Sequence, residues 1–315
     1  MNGQMSPDLS IIIVSWNTRD LLSQCLTSIA LDLERIPPTP RLLSSSPEVF
    51  VVDNASTDGS AQMVREEFPW VRLIENAENA GFARANNQAI RESMGRYVVL
   101  LNPDTEVHPG ALEAMLAFMD EHPEAAACGP RLLNEDGSLQ PSCHPVLTPG
   151  REFWRLIFLD RIWRRATYDM ERWDPTVPCR VEVIKGACLV LRHESLDHVG
   201  LLDDRYFMYT EEMDLCYRLL RAGYALWWIP YAIVTHYGEA SSRQMAENMY
   251  IQLYRSKAQF HQKFGSERRV RRFRRLLWLA YVPRWVVAAL GQLAVPSLAA
   301  RAHTYRRLLR ELAAL

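Results

Sequence analysis

Short, uninterrupted runs of apolar and β-branched residues alternate with segments of helical spacing in the first 120 residues. The apolar runs predict strands at Leu9–Ser15, Val49–Asp53, Val71–Ile74 and Tyr97–Leu101. The segments between and after them predict helices at Asp20–Leu31, Ser60–Phe68, Ala83–Met94 and Pro109–Glu121. Strands that are apolar on both faces and separated by helices are typical of a parallel sheet covered on both sides. The chain is therefore predicted to have an α/β fold with a mainly parallel sheet.

This alternation stops near residue 136. Residues 137–180 are rich in Trp, Arg and Pro and have no clear period. Further along, the sequence predicts a strand within Val181–Leu191, a helix at Glu211–Ala222 and a strand at Tyr224–Ile229. The Pro- and Ser-rich segment Leu33–Pro47 is longer than an ordinary loop and predicts a surface insertion.

The net charge of −1 conceals two unlike parts. Residues 263–315 contain 12 Lys and Arg against 2 acids, whereas residues 1–262 contain 24 against 35. The longest charge-free run in the tail is 16 residues, shorter than the roughly 20 of a spanning helix. We therefore predict one domain over 1–262 and a basic amphipathic helical tail over 263–315 on an anionic membrane surface. The alternatives are packing on the core or on a second subunit in a homodimer; the apolar content disfavours nucleic acid.

Cysteine usage and the amino terminus both indicate the cytoplasm. None of the six cysteines stands in a CxxC pair or beside a His at zinc-ligand spacing, which is typical of buried thiols in a reducing compartment. The first ten residues lack the basic region and apolar core of a signal peptide.

Two motifs follow the first strands. Asp53 ends a predicted parallel strand, where ligands bind in open α/β sheets, and the turn after it opens a helix whose amino terminus favours anions. Gly81 permits close backbone approach, and Arg84 could reach a phosphate. The alternatives are an ordinary turn with a helix cap, and a helix start capped by Asn79.

Three further motifs carry carboxylates or a histidine. Asp104 follows the Tyr97–Leu101 strand and could hold Mg²⁺ together with substrate phosphates; the alternative is a turn marked by Asn-Pro. Glu211 and Glu212 crowd a predicted helix start, which suits either capping or a general base with a raised pKa. His236 follows an apolar strand and could bind a metal or simply pack there.

Together, and in this order, the motifs resemble the family 2 inverting glycosyltransferases of GT-A fold, most closely their bacterial rhamnosyltransferase-like branch. The resemblance spans about residues 9–242. It is carried by IIIVSWN, VVDNASTDGS, ENAGFARANN, LLNPDT, KGACLVLRHE, FMYTEEMDLCYR and VTHYGEASS. It implies a Rossmann-like domain with a nucleotide-sugar half at about 9–135 and an acceptor half at about 136–242.

The resemblance also implies roles for single residues. The nucleotide-sugar would be bound by Ser15, Asn17, Asp53, Asn79, Gly81, Phe82, Arg84, Asn87 and Asn102. Asp104 and His236 would hold a divalent metal, Mg²⁺ or Mn²⁺, although Asn102 stands where the family motif begins with Asp. Glu212 would be the catalytic base, with Glu211 as the fallback. Asp214 and Arg218 would hold that helix, and residues 185–187 would line the acceptor side.

The activity implied is inverting transfer of L-rhamnose from dTDP-rhamnose to a saccharide acceptor in cell-surface polysaccharide synthesis. We expect the acceptor to be linked to a polyprenyl diphosphate. The enzyme would work at the inner face of the cell membrane. A UDP-linked hexose donor and a non-catalytic nucleotide-sugar or lipid-binding module are the alternatives. A nucleotidyltransferase is disfavoured because SWNTRDLL, after the first strand, lacks a Gly-rich, Lys-containing loop.

Overall fold

A computed structural model describes residues 8–36, 47–164, 166–238, 246–292 and 294–314. Most of the predicted insertion at 33–47, and the end of the motif that contains His236, lie outside the described residues. The chain divides into two compact units. The first consists of the described parts of Met1–His144, Asp169–Phe207 and Glu211–Gln244, and the second of those of Pro145–Tyr168, Met208–Thr210 and Met245–Leu315.

The described residues contain twelve strands. They are β1 (Leu9–Ser15), β2 (Glu48–Asp53), β3 (Arg72–Glu75), β4 (Tyr97–Leu101), β5 (Thr105–Val107), β6 (Ala125–Leu133), β7 (Leu139–Gln140), β8 (Cys143–His144), β9 (Cys179–Arg180), β10 (Val183–Ile184), β11 (Cys188–Arg192) and β12 (Ala225–His236).

The described residues also contain ten α-helices. They are α1 (Arg19–Leu33), α2 (Ser60–Glu67), α3 (Phe82–Glu92), α4 (Ala111–Glu121), α5 (Pro149–Leu156), α6 (His193–Val199), α7 (Glu211–Arg221), α8 (Ala246–Phe264), α9 (Glu267–Gly291) and α10 (Leu298–Ala314). The predicted α/β class and the helical C-terminal region are confirmed.

The main sheet has the strand order β3-β2-β1-β4-β11-β6-β12-β5, with β7 and β9 paired to its second half. β1 runs parallel to both β2 and β4, as the sequence predicts. β11 lies antiparallel between β4 and β6, so the second half of the sheet is mixed. Because β1, β2 and β4 are parallel, their carboxyl ends share one edge, where an open α/β sheet binds its ligands.

Successive side chains of the central strands point to opposite faces of the sheet, and one of these faces packs against the core cluster. Leu9, Ile11 and Ile13 are fully buried in a cluster with apolar side chains of α1, α2 and α4. The continuous apolar runs follow from this arrangement, since both faces of each strand are removed from water.

Two predicted boundaries differ from the structure for identifiable reasons. A helix was predicted over Ala83–Met94, but α3 ends at Glu92, and Gly95 is needed for packing: a Cβ there would lie 2.4 Å from Ser10 Oγ. Pro109 was expected in the first turn of α4, but Gly110, with φ 80°, precedes the helix instead. A buried Asp32 carboxylate accepts the backbone N–H groups of Gly110 and Leu112, which satisfies that helix start.

The second unit is helical. Its core is formed by side chains of α5, α8, α9 and α10, which include Tyr254, Phe273, Leu277 and Leu312. The unit also includes α8 and the described part of residues 145–168, whereas the predicted tail covers 263–315. Its limits are wider because α8 packs with α9 in this core. No helix among the described residues is long and apolar enough to cross a membrane.

Candidate active site

The turns after β1 and β2 are joined by short hydrogen bonds. Asn17 adopts a left-handed backbone with φ 52°, and its Oδ1 accepts the backbone N–H of Thr57 at 2.8 Å. The Asn17 backbone N–H donates to Ser56 Oγ at 3.0 Å, and Asp53 Oδ2 accepts the Ser56 N–H at 3.0 Å. Ser15 is buried and its hydroxyl contacts that of Thr18 at 2.9 Å.

Asp53 retains acceptor capacity. The residue is 4% exposed, and its Oδ1 has no hydrogen-bond partner among the described residues. A buried carboxylate oxygen without a donor is costly, so a donor on a ligand would be stabilising here. The position at the carboxyl end of β2 fits the predicted contact with a base or ribose.

A network of amide side chains, of which the sequence singled out Asn79, joins β2 to the loop before α3. Asn54 Oδ1 accepts the backbone N–H of Ala80 at 3.1 Å and Asn76 Nδ2 at 3.0 Å. Asn54 Nδ2 donates to Asn79 Oδ1 at 3.1 Å, and the same oxygen accepts the Gly81 N–H at 3.0 Å. Asn79 and Asn54 therefore shape the loop through contacts within the protein.

Gly81 lies where two backbone segments touch. Its φ of 81° and ψ of 170° are almost restricted to glycine, and a Cβ there would lie 2.4 Å from Phe207 O. The next backbone N–H, that of Phe82, donates to the same Phe207 oxygen at 2.8 Å. The loop is therefore held against the segment that leads to α7.

Two residues of α3 have different environments. Arg84 is exposed in the first turn and makes no hydrogen bond or ion pair with a described residue, so its guanidinium is available to an anion. Asn87 is 2% exposed, and both ends of its side-chain amide bind the backbone of Leu202. Its Nδ2 donates to the Leu202 carbonyl at 2.8 Å, and its Oδ1 accepts the Leu202 N–H at 3.1 Å. The predicted role of Asn87 in ligand binding stays a prediction.

Asp104, which follows β4, and His236, the last residue of β12, lie side by side. Asp104 Oδ1 lies 3.3 Å from His236 Nε2, and both side chains are buried. Asn102 Nδ2 lies 3.2 Å from the same nitrogen. The three residues that resemble a metal motif are therefore adjacent in space.

Lys185 extends this cluster. Its ammonium donates to Gln140 Oε1 at 3.0 Å, and that oxygen also contacts His236 Nδ1 at 2.7 Å. The sequence associated Lys185 with the acceptor side, whereas the structure connects it to the residue behind His236. Gln140 belongs to no recognisable motif, and no signal in the sequence marks it.

The donors fit a hard divalent cation. Because Gln140 Oε1 can only accept, His236 Nδ1 carries a proton, and the lone pair of a neutral ring lies at Nε2, beside a carboxylate oxygen. Two such acceptors 3.3 Å apart repel each other unless a cation or a proton lies between them. Among the described residues no group of three His, Cys, Asp or Glu side chains could hold a metal ion, so a metal would need oxygens from elsewhere, as Mg²⁺ commonly takes from phosphates.

The segment 185–187 connects the predicted parts of the site. A Cβ on Gly186 would lie 3.7 Å from Glu212 Cβ and 3.8 Å from Phe82 Cε1, so both side chains lie next to this glycine. Ala187 O accepts the backbone N–H of Asn102 at 2.9 Å. The loop before α3, the first turn of α7 and the metal motif are therefore contiguous.

The two glutamates that begin α7 are not equivalent. Glu211 is 5% exposed, and its Oε2 has no hydrogen-bond partner among the described residues. Burial, and next the charge of Glu212, raises the pKa of the Glu211 carboxyl well above its usual range. Glu212 is partly exposed beside Gly186. Burial therefore favours the protonated form of Glu211, whereas Glu212 is the more exposed of the two and lies next to Gly186.

The expected structural pair is confirmed on α7. Asp214 is fully buried and accepts from Arg218 Nε at 2.7 Å. The Arg218 guanidinium also donates to the carbonyl oxygens of Val199, Gly200 and Leu201. These bonds fix the turn after α6 against α7.

Two sequence models match the chain: glycosyl transferase family 2 over residues 10–179, and glycosyl transferase family group 2 over residues 97–305. An N-acetylglucosaminyl-diphospho-decaprenol L-rhamnosyltransferase of Mycobacterium tuberculosis is 31% identical over 248 residues, which cover 74% of this chain and 77% of the relative. A low-salt glycan biosynthesis hexosyltransferase of Haloferax volcanii is 25% identical over 69% of this chain and 63% of its own length.

Two solved structures share the fold. A mannosyltransferase from Pyrobaculum calidifontis, in complex with GDP-Man and Mn²⁺, matches with a TM-score of 0.54 and 20% identity, over 98% of this chain and 85% of its own. GalNAc-T7 with UDP, GalNAc and Mn²⁺ matches with a TM-score of 0.53 and 16% identity, over 74% of this chain and 44% of its own.

Proposed function

The chain belongs to glycosyl transferase family 2, and on that premise we propose that it transfers a sugar from a nucleoside diphosphate to a saccharide hydroxyl with inversion at the anomeric carbon. The observation that carries the proposal is that Glu212 and Phe82 both lie next to Gly186, beside the loop held by Phe207. This arrangement sets a carboxylate beside the residues that resemble a donor pocket.

Glu212 acts as the general base in this proposal. Its carboxylate takes the proton of the acceptor hydroxyl as that oxygen attacks the anomeric carbon from the face opposite the leaving diphosphate. Glu211 keeps its proton in this proposal, since burial, and next the charge of Glu212, raises the pKa of its carboxyl. It therefore supports the first turn of α7 rather than accepting the proton.

The donor is held along the edge formed by the ends of β1, β2 and β4. Asp53 Oδ1 accepts from the base or ribose, and Arg84 faces the diphosphate. Asp104 and His236 would hold Mg²⁺ or Mn²⁺, which when bound offsets the charge of the departing diphosphate. Alignment of the two substrates supplies much of the remaining acceleration.

We propose L-rhamnose from dTDP-rhamnose as the donor sugar and a polyprenyl-diphosphate-linked saccharide as the acceptor. The support is the 31% identical relative, whose name includes both rhamnosyl transfer and a diphospho-decaprenol acceptor. A UDP-linked hexose is the alternative donor. The reaction would contribute to a cell-surface polysaccharide and take place on the cytoplasmic side of the membrane.

We further propose that α9 places the enzyme on the membrane surface. The helix buries Phe273, Leu277 and Tyr281, while Leu279 and Leu290 are 65% and 67% exposed. Beside this apolar face, a cleft of about 580 Å³ is lined by Arg271, Arg274, Arg275, Trp278 and Leu279. Exposed apolar side chains next to arginines suit an anionic bilayer, where each basic residue contributes about 1 kcal/mol.

The test of the base is Glu212→Gln beside Glu211→Gln. Loss of the Glu212 carboxylate should lower kcat by at least about 10²-fold, in the range of general-base contributions, and leave donor affinity within about twofold. Glu211→Gln should change kcat far less, since the group is already neutral. Equal losses, or full activity of Glu212→Gln, would overturn the assignment. Donor binding without transfer by the wild-type chain would favour a non-catalytic binding module.

A donor panel and a flotation assay test the other parts. Thermal shift with dTDP-rhamnose, UDP-hexoses and GDP-mannose, each with Mn²⁺, identifies the nucleotide and sugar by mass action.

Flotation with vesicles containing phosphatidylglycerol should fall when Leu279 and Leu290 are changed to Asp. The matched control is Leu31→Asp, at a 55% exposed site of α1. Unchanged flotation contradicts membrane docking, and a concentration-dependent dimer would assign the face to a second copy.

A further inference from the structure

The Gln140 amide makes hydrogen bonds at both of its ends. Its Nε2 donates to the backbone oxygen of His236 at 3.0 Å and to Asn134 Oδ1 at 2.9 Å. Its Oε1 accepts from Lys185 Nζ at 3.0 Å. A backbone carbonyl can only accept and an ammonium can only donate, so these two partners define which end of the amide is nitrogen and which is oxygen.

This orientation determines the proton on His236. Gln140 Oε1 lies 2.7 Å from His236 Nδ1, so Nδ1 must be the donor. The other ring nitrogen, Nε2, lies 3.2 Å from Asn102 Nδ2 and 3.3 Å from Asp104 Oδ1. The contact with Gln140 therefore places a proton on Nδ1 and leaves Nε2 toward Asn102 and Asp104.

We infer that Gln140 is a positioning residue that holds His236 in the Nδ1–H tautomer, with the Nε2 lone pair directed toward Asp104, and that Lys185 holds Gln140 in place. The part of this inference that concerns the cation rests on the proposed function. A histidine ligand whose far nitrogen donates to a fixed acceptor keeps its ring orientation and is a better ligand, and loss of such a partner typically lowers metal affinity 10- to 100-fold.

Lys185 gives the arrangement a connection to the acceptor side. Its backbone N–H donates to Ser142 O at 2.7 Å, and its neighbour Gly186 lies against Glu212. The residue is therefore anchored by its backbone while its side chain secures Gln140. A single short segment thus supports both the metal ligand and the surface beside the catalytic carboxylate.

The experiment compares three variants of the full chain. Gln140→Met keeps the length of the side chain but removes both the acceptor and the donor. Gln140→Glu restores an acceptor for His236 Nδ1 and for Lys185. Asn134→Ala removes the other partner of Gln140 Nε2 and leaves the Oε1 contacts in place, so it is the matched control for a merely structural effect on β7.

Two readouts separate the inference from the proposed function. The first readout is long-range ¹H–¹⁵N correlation of labelled histidine rings in the metal-free protein, with the His236 signals assigned by a His236→Asn variant. It should show the Nδ1–H tautomer of His236 in wild type and a mixture of the two tautomers in Gln140→Met. Mn²⁺ binding in the presence of dTDP, measured by electron paramagnetic resonance, should weaken at least tenfold in Gln140→Met. It should stay within about threefold of wild type in Gln140→Glu and Asn134→Ala.

Three outcomes would overturn the inference: an Nε2–H tautomer in wild type, an unaltered ring in Gln140→Met, or equal losses in Gln140→Met and Asn134→Ala. If wild type binds no Mn²⁺, the proposed metal role fails. The tautomer measurement would then still decide whether Gln140 orients His236.

Discussion

The backbone N–H of Phe82 donates a 2.8 Å hydrogen bond to the carbonyl oxygen of Phe207. This bond joins the first residue of α3 to the segment that leads into α7, where Glu211 and Glu212 lie. The approach is so close that only a residue without a Cβ fits at Gly81. A single backbone contact therefore couples the predicted donor loop to the predicted base.

Gly81→Ala should destabilise the protein by about 3 kcal/mol or more, because it combines a glycine-only conformation with a clash at Phe207. Gly137→Ala is the control: its φ is 78°, but a Cβ there meets nothing within 4 Å. That change should cost only about 1 to 2 kcal/mol. Urea denaturation measures both, and similar losses in the two variants would show that the contact with Phe207 contributes nothing.

Mn²⁺ affinity should depend on the nucleotide. The described residues supply Asp104 and His236 as a pair, without a third His, Cys, Asp or Glu beside them, so phosphate oxygens are needed to complete the coordination. We expect at least tenfold tighter Mn²⁺ binding with dTDP or UDP than without. Calorimetry of wild type and Asp104→Asn measures this, and equal affinity with and without nucleotide would contradict it.

The stability of the chain should respond to Glu211 as the pH rises. The folded-state pKa of this carboxyl is raised, so the folded state holds its proton more tightly than the unfolded state does. Its unfavourable contribution is absent below the unfolded pKa and grows as the pH rises through and above it. Glu211→Gln, neutral at every pH, should therefore be more stable than wild type at neutral pH and similar to it in acid.

Urea midpoints measured across this range test the prediction for Glu211. The control is Glu267→Gln, at a 90% exposed side chain in the first turn of α9, whose difference in stability from wild type should change little with pH. If the difference between Glu211→Gln and wild type were the same in acid and at neutral pH, burial of an ionisable Glu211 would not be its cause.

The predictable elements are those whose sequence agrees with their environment. β1 and β4 have the predicted bounds because β-branched runs mark strands buried on both faces. β6 was missed because AAACGPRLL contains residues of low β-propensity, and its strand state comes from β11 and β12 on either side. β12 was expected to end at Ile229 but continues past Pro230, with an irregularity between Ile229 and Ile233 that accommodates the proline.

The site shows the same division. Asp53, Asp104 and Glu212 stand at element ends within recognisable motifs, so their positions could be inferred from the sequence. Gln140 contacts His236 across 96 residues of chain, and no local pattern predicts that contact. The side chains proposed to act on a substrate stand in motifs, whereas Gln140, which is proposed to orient His236, is brought there by tertiary packing.

A buried histidine in the second unit should make the protein sensitive to acid. His261 is fully buried, and neither ring nitrogen has a hydrogen-bond partner among the described residues. Burial, and next the charge of Arg269, lowers the pKa of His261 from 6.5 to about 3. The unfolded chain therefore takes up a proton below pH 6.5 while the folded chain does not, and stability falls as the pH drops from 6.5 toward 3.

His261→Leu should remove this contribution. The difference in unfolding free energy between the variant and wild type should grow in favour of the variant as the pH falls from 6.5 to 3. The increase should be on the order of 3 to 5 kcal/mol. His303→Leu, at a 69% exposed side chain of α10, should keep the wild-type dependence. Thermal unfolding followed by circular dichroism over this range measures both, and a parallel decline in His261→Leu and wild type would show that the acid sensitivity arises elsewhere.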